Sequence, residues 1–165
     1  MDFMEVLKKR YSCKKFDGRK IRKEQLDAIL EAGRLAPTDK NLQEQKIYVV
    51  QSDEGLEKID RITPCRYGAG TVLLVAFDRE NVFVYPGGKR DSGVEDATIV
   101  ATHMLLAAKA AAWRVAGSTS STRKRRQRNC IARNEEVLML LDLGYAAEGA
   151  SLWRITASAR SFPKP

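Results

Sequence analysis

The stretch TVLLVAF, Thr71 to Phe77, limits the possible folds more than any other part of the chain. A continuous apolar run rich in β-branched and aromatic residues has no face to offer water. It reads as a strand buried on both sides. Such a strand needs layers above and below it, so the flanking sequence has to supply elements that cover a sheet. Phe3, Val6 and Leu7 in DFMEVLKKR fall at helical spacing and predict a short amphipathic helix ending near Arg10. Leu26, Ile29, Leu30 and Leu35 lie on one stripe of RKEQLDAILEAGRLAP, and Pro37 ends that helix because the residue before a proline avoids the helical region. Lys46 to Gln51 reads as a strand, and Ser52 is placed to cap a short helix after it. Val94 to Ala112 is rich in helix formers and apolar around most of its circumference, the pattern of a central buried helix. Glu135 to Tyr145 fits helix or strand by periodicity; its short length before Gly144 favours a strand. Helices interleaved with strands give an α/β or α+β layered fold, and a length of 165 residues suits one domain with one sizeable core.

Charge distribution is uneven. The net charge is +8, yet 113–133 carries seven Lys/Arg and no acid, and 151–165 carries three Lys/Arg and no acid. The rest of the chain is slightly acidic, so an anionic partner is not implied for the whole domain. No apolar run approaches the length of a membrane span, and the N-terminus lacks a basic-then-apolar leader. Cys13, Cys65 and Cys130 make no metal or redox spacing, so a cytoplasmic protein with reduced thiols is expected. His103 is the only histidine and offers no metal set, which leaves it a packing or surface role. Glu95 and Asp96 fit the helix dipole at the start of the long helix, and Cys65, without an identifiable general base nearby, reads as inert.

Two polar constellations carry chemistry. In RYSCKKF, an extended backbone would aim Arg10, Ser12 and Lys14 to one side, two cations and a hydroxyl suited to a phosphate. The same residues also suit a solvated basic strand edge. In LAPTDKNLQEQKIYVV, Pro37, Thr38, Asn41 and Gln43 form a polar loop between helix and strand, able to bond the edge of a planar heterocycle or a polyol. A plain capping loop would use similar residues.

Taken in order, these segments resemble the FMN-dependent nitroreductase family, its small members in particular. RYSCKKF is similar to that family's R-x-S-x-R/K-x-F signature. APTDKNLQEQ is similar to its A-P-S/T-x-x-N-x-Q-P segment, with Glu44 where proline is usual. RYGAGTVLLVAFD resembles its small-residue turn and central strand, SGVEDATIVATHMLLAA its long helix, and NEEVLMLLDLGYAAEGA its late strand ending in Gly-Tyr. The resemblance implies a single α+β domain over 1–165, with a mixed, mostly antiparallel sheet covered by helices, assembled as a homodimer with FMN at the subunit interface. It implies a cofactor-binding set of Arg10, Tyr11, Ser12, Lys14, Thr38, Asn41 and Gln43. Arg10 and Ser12 would meet the phosphate and ribityl chain, and Lys14, the residue assigned a catalytic part, would lie at the pyrimidine edge of the ring. Thr38, Asn41 and Gln43 would reach in from the other subunit. The activity implied is ping-pong transfer of hydride from NAD(P)H through flavin N5 to a nitroaromatic, quinone or similar small acceptor.

The resemblance breaks at 113–133 and 151–165, which depart from the family as if frame-displaced. Where an apolar strand of the type C-W-V-N-F-F-D-P-E is expected, the chain has AGSTSSTRKRRQRN. Codons GCT GGG TCA ACT TCT TCG ACC CGG AAA for Ala116 to Lys124, read from each third base, give Trp-Val-Asn-Phe-Phe-Asp-Pro-Glu. SLWRITASAR yields Pro-Leu-Ala-Asn-His-Cys-Lys-Arg-Lys in the same displacement, similar to the family's basic tail. Two other readings compete: a basic module binding nucleic acid through Arg123 to Arg128, and a degenerate, non-catalytic member of the flavin family.

Overall fold

The computed structural model describes residues 2–110, 115–120 through their backbone, and 132–150. Its elements run α1 (Phe3–Lys9), α2 (Lys23–Arg34), β1 (Gln45–Val50), α3 (Asp53–Ile62), β2 (Thr71–Asp78), α4 (Gly93–Ala110), β3 (Val115–Ser120) and β4 (Glu135–Tyr145). The sheet order is β1-β2-β4-β3, and every pairing among the described residues is antiparallel, so the parallel strands of a mixed sheet are not seen there. The α+β class holds.

The apolar run of β2 occupies the centre, as its composition requires. Leu73, Val75 and Phe77 point to one face and pack with Ile29 of α2 and with Val100, Ala101 and Met104 of α4. Val72, Leu74 and Ala76 point to the other, against Leu56 and Ile59 of α3. Strand alternation therefore sends each half of the run into a separate layer. Burying each of the larger side chains, Val, Leu, Ile, Phe or Met, contributes about 1.5–3 kcal/mol. Helices α2 and α4 approach closely through Gly33, where a Cβ would stand 2.9 Å from Met104 Cγ. A register shift between Val75 and Ala76 marks a bulge against β4.

Two details differ from the sequence pattern. Leu35, expected on the buried stripe of α2, is 64% exposed. Gln25 is buried instead, its Oε1 accepting from Arg22 N at 2.9 Å and from Tyr145 Oη at 2.6 Å. A polar residue can enter the core when its hydrogen bonds are met, and periodicity alone cannot register this. The backbone of β3 pairs Val115 with Tyr145 and Ser120 with Leu140, so a strand stands beside β4 at the place where the sequence departs from the family it resembles. The remainder of 113–133 apart from 132–133, all of 151–165, and with them Arg123 to Arg128, lie outside the described residues.

Candidate functional site

The first polar set follows α1 directly. Arg10 caps the helix with an extended backbone, and the chain then runs through two isolated bridge positions with a bend at Lys14. Cys13 is buried, its thiol donating to Lys15 O at 3.2 Å, which leaves Ser12 half-buried and Lys14 exposed on the opposite side. Alternation holds to that point and then fails at the bend, because Phe16 turns inward to pack with Cys13 and Ala69. Phe16 N donates to Tyr67 O and Asp17 N to Tyr145 O, both at 2.9 Å, fastening the segment across the end of β4. The Lys14 ammonium sits 4.4 Å above the Tyr67 ring, and that of Lys109 lies 5.4 Å from Tyr11's.

The second set is a 3-10 turn, Asp39–Asn41, with its flanks. Thr38 Oγ1 accepts from Gln43 N at 3.1 Å, and Gln43 Nε2 donates to Asn41 Oδ1 at 3.0 Å, so the amides form one exposed unit. Lys40, Asn41 and Gln43 all have positive φ, 51°, 56° and 53°. Left-handed backbone at residues other than glycine costs roughly 1–2 kcal/mol each and is kept where surrounding bonds over-determine it. Those bonds are present. Both Asp96 oxygens accept from Asp39 N, at 3.0 and 3.1 Å, Asn81 Nδ2 donates to Leu42 O at 3.1 Å, and Asp78 N donates to Glu44 O at 3.0 Å.

The two sets do not meet within one chain. Arg10 to Lys14 lie beside Tyr145 and Tyr67, at the Thr71 end of β2, whereas Thr38 to Gln43 lead into Gln45, which pairs with Phe77 at the other end. The length of this strand, roughly 23 Å, separates them.

Three buried acids escaped the motif reading. Glu44 is 1% exposed; Oε1 accepts from Ser92 Oγ at 3.3 Å and Oε2 has no hydrogen-bond partner while ionised. Burial foremost, and then Asp96 beside it, push the Glu44 carboxyl up to about 7; a proton on it supplies the hydrogen bond to Asp96. Asp96 and Glu95 are therefore more than dipole partners. Asp96 holds the loop, and Glu95 accepts from Tyr85 Oη at 2.6 Å and pairs with Arg90. Asp142 in β4 is fully buried with neither oxygen bonded. The signals were present, an acid in place of a proline and an acid inside an apolar run. Hydrogen bonds with Tyr67 and Thr63 pull the Cys65 thiol below its usual value.

Among the described residues no group of three or more His, Cys, Asp or Glu could hold a metal, and no helix is long and apolar enough to cross a membrane. His103 lines an apolar cleft of about 480 Å³ with Phe3, Val6, Leu106, Ala107 and Ala110.

Residues 7–66 match the model of the nitroreductase family. A protein of Methanothermobacter thermautotrophicus, named for NADH dehydrogenase and NAD(P)H nitroreductase, is 31% identical over 112 residues, which are 66% of this chain and 56% of that one. An NAD(P)H nitroreductase-named protein of Bacillus subtilis is 42% identical over 59 residues, 35% of this chain and 28% of its own length, so the matches span about half or less of these curated relatives. Among solved structures, a nitroreductase of Bacteroides fragilis with bound FMN has the same fold, with a TM-score of 0.74 at 23% identity, covering 99% of this chain and 100% of that one. A nitroreductase family protein from Clostridium difficile superposes with a TM-score of 0.88 at 30% identity, covering 98% of this chain and 94% of its own. With identity sustained over nearly the full length of both proteins, this chain belongs to the nitroreductase family.

Proposed function

We propose that the chain is an FMN-dependent oxidoreductase that takes reducing equivalents from NAD(P)H and delivers them, in ping-pong order, to a small nitroaromatic or quinone-like acceptor. Residues 1–165 act as one domain, in a homodimer with a site at each side of the interface. The observation that carries this reading is the separation of the two polar sets to opposite ends of β2, too far apart to serve one ligand from one chain. Two chains in antiparallel arrangement bring the Arg10 set of one to the Thr38 set of the other.

The residues fit the group. Arg10 and Ser12, at the edge of a backbone fixed by the Phe16 and Asp17 bonds, would hold the phosphate and ribityl hydroxyls, with Tyr11 between them. When bound, FMN supplies reversible hydride acceptance at N5. Lys14 would place a fixed positive charge at the pyrimidine edge, where reduction leaves negative charge. Thr38, Asn41 and Gln43 would orient the ring with neutral donors and acceptors held in a strained, preformed loop.

Subunit mixing tests this. One chain carries Arg10→Ala with Ser12→Ala, the other Asn41→Ala with Gln43→Ala. Each homodimer should lose FMN, while the mixed dimer, with both lesions on one site, should regain about half the wild-type FMN content. A mixed dimer as empty as its parents would refute the shared site.

A further inference from the structure

We propose that Asp142 is the counter-charge of Lys14: a buried carboxyl in β4 whose protonation state sets how strongly the Lys14 ammonium is drawn toward the sheet and away from the flavin. The inference rests on the reading of Lys14 given above, and makes Asp142 a positioning residue.

Packing does not explain an acid here. Asp142 has no solvent exposure and neither carboxylate oxygen has a hydrogen-bond partner. An unmet buried polar group is costly, more so when charged, and Leu140 on the same face shows what the layer accepts. Its position relative to Lys14 is fixed by backbone bonds. Asp17 N donates to Tyr145 O, Phe16 bridges to Ala146, and the Phe16 ring lies so close to Gly144 that a Cβ there would stand 3.0 Å from it. The bend carrying Lys14 is thus fastened to the residues just beyond Asp142.

The charged groups facing Asp142 among the described residues are few. Lys14 reaches it from the N-terminal segment, Arg66 and Cys65 from the turn after α3, while α3 itself offers Leu56 and Ile59 to that layer. Arg66 is committed: its guanidinium bonds Asp60 at 2.7 and 2.5 Å and Ala69 O at 2.7 Å. Lys14, held over the Tyr67 ring, acts on the Asp142 carboxyl ahead of Arg66. Burial pushes the Asp142 carboxyl up to about 7, with Lys14 and then Arg66 pulling it back, so its charge changes near neutrality. When protonated it leaves the Lys14 charge whole. Once ionised, it offsets that charge, and the flavin becomes harder to reduce.

The test has two arms. In flavin-free protein the Asp142 carboxyl resonance, assigned with Asp142→Asn, is followed by carbon NMR against pH in wild type and in Lys14→Met. Loss of the cation should move the inflection to higher pH, and an unmoved inflection overturns the pairing. In FMN-loaded protein the reduction potential is measured from pH 6 to 9. Wild type should show an extra downward bend near neutrality that Asp142→Asn lacks, and that Asp142→Asn no longer alters in the Lys14→Met background. A bend that survives Asp142→Asn, or an Asp142→Asn effect that persists without Lys14, overturns the proposal. Failure to take up FMN at all would sink the proposed function, while the first arm would still decide whether the two residues are coupled.

Discussion

Replacing Glu44 by glutamine should raise stability little at pH 5 and much more at pH 8. The Glu44 carboxyl is 1% exposed, its Oε2 has no donor to accept from, and Asp96 lies next to it. Its pKa stands at about 7 in the folded protein against an ordinary 4.5. The folded state therefore holds the proton more tightly than the unfolded chain does, so stability falls as pH rises. The contribution is full below pH 4.5, declines through the interval to about 7, and is then gone. A shift of that size corresponds to about 3 kcal/mol, an upper figure because neighbouring groups relax. Glutamine keeps the shape, and its amide can donate to Asp96 at every pH, so the penalty of an ionised Glu44 disappears. Asp142 moves in the same sense, from 3.8 to about 7, but is present in both proteins and cancels in the difference. Urea unfolding of the two proteins at pH 5, 6, 7 and 8 measures the effect. A stability difference equal at pH 5 and pH 8 would refute a proton held at Glu44.

Lys14→Ala should lower the reduction potential of bound FMN and slow its reduction by NAD(P)H, while fluorescence titration finds most of the FMN affinity retained; an unchanged potential removes Lys14 from that role. Gly70→Ala should cost about 1–3 kcal/mol or more in thermal or urea unfolding, since its Cβ would stand 2.4 Å from Gly18 O and 2.5 Å from Arg19 C, backbone that cannot swing aside. Replacing 113–133 and 151–165 by the displaced-frame sequences should raise FMN content and melting temperature together, because a ligand bound only by the folded dimer stabilises it by mass action. No gain in either, with loss of a salt-sensitive RNA or DNA interaction, would favour the nucleic-acid reading instead.

The elements legible in the sequence were those in which one physical requirement dominates. TVLLVAF had to be central because no face of it is polar, and Ser52 had to cap because its hydroxyl meets Gly55 N, at 3.2 Å, when α3 forms. Leu35 falls beyond the last turn of α2 and is exposed, whereas the burial of Gln25 in the first turn depends on Tyr145, far away in sequence, whose hydroxyl supplies a partner that a local pattern cannot contain. The bend at Lys14 was hidden for the same reason, being imposed by the Tyr67 and Tyr145 carbonyls. The strand β3 was the reverse case. Its Gly, Ala and Ser residues have little preference for a sheet, and its pairing follows the edge of β4.

The candidate site was legible as two motifs but not as one place. Motif spacing reports residue types along the chain, whereas the distance between motifs is set by the tertiary fold, which places these two at opposite ends of β2. The buried acids followed from neither motif nor periodicity, yet each lies behind one set: Asp96 and Glu44 brace the Thr38 loop, and Asp142 backs the Lys14 bend. A carboxyl without its full complement of donors is expensive, so its presence behind both polar sets points to charge state, beyond shape, as a property the site controls. With Glu44 and Asp142 both changing charge near pH 7, loop bracing and the field at Lys14 respond to the same pH interval, and the Glu44→Gln and Asp142→Asn variants separate the two effects by where each is read, in unfolding and in potential.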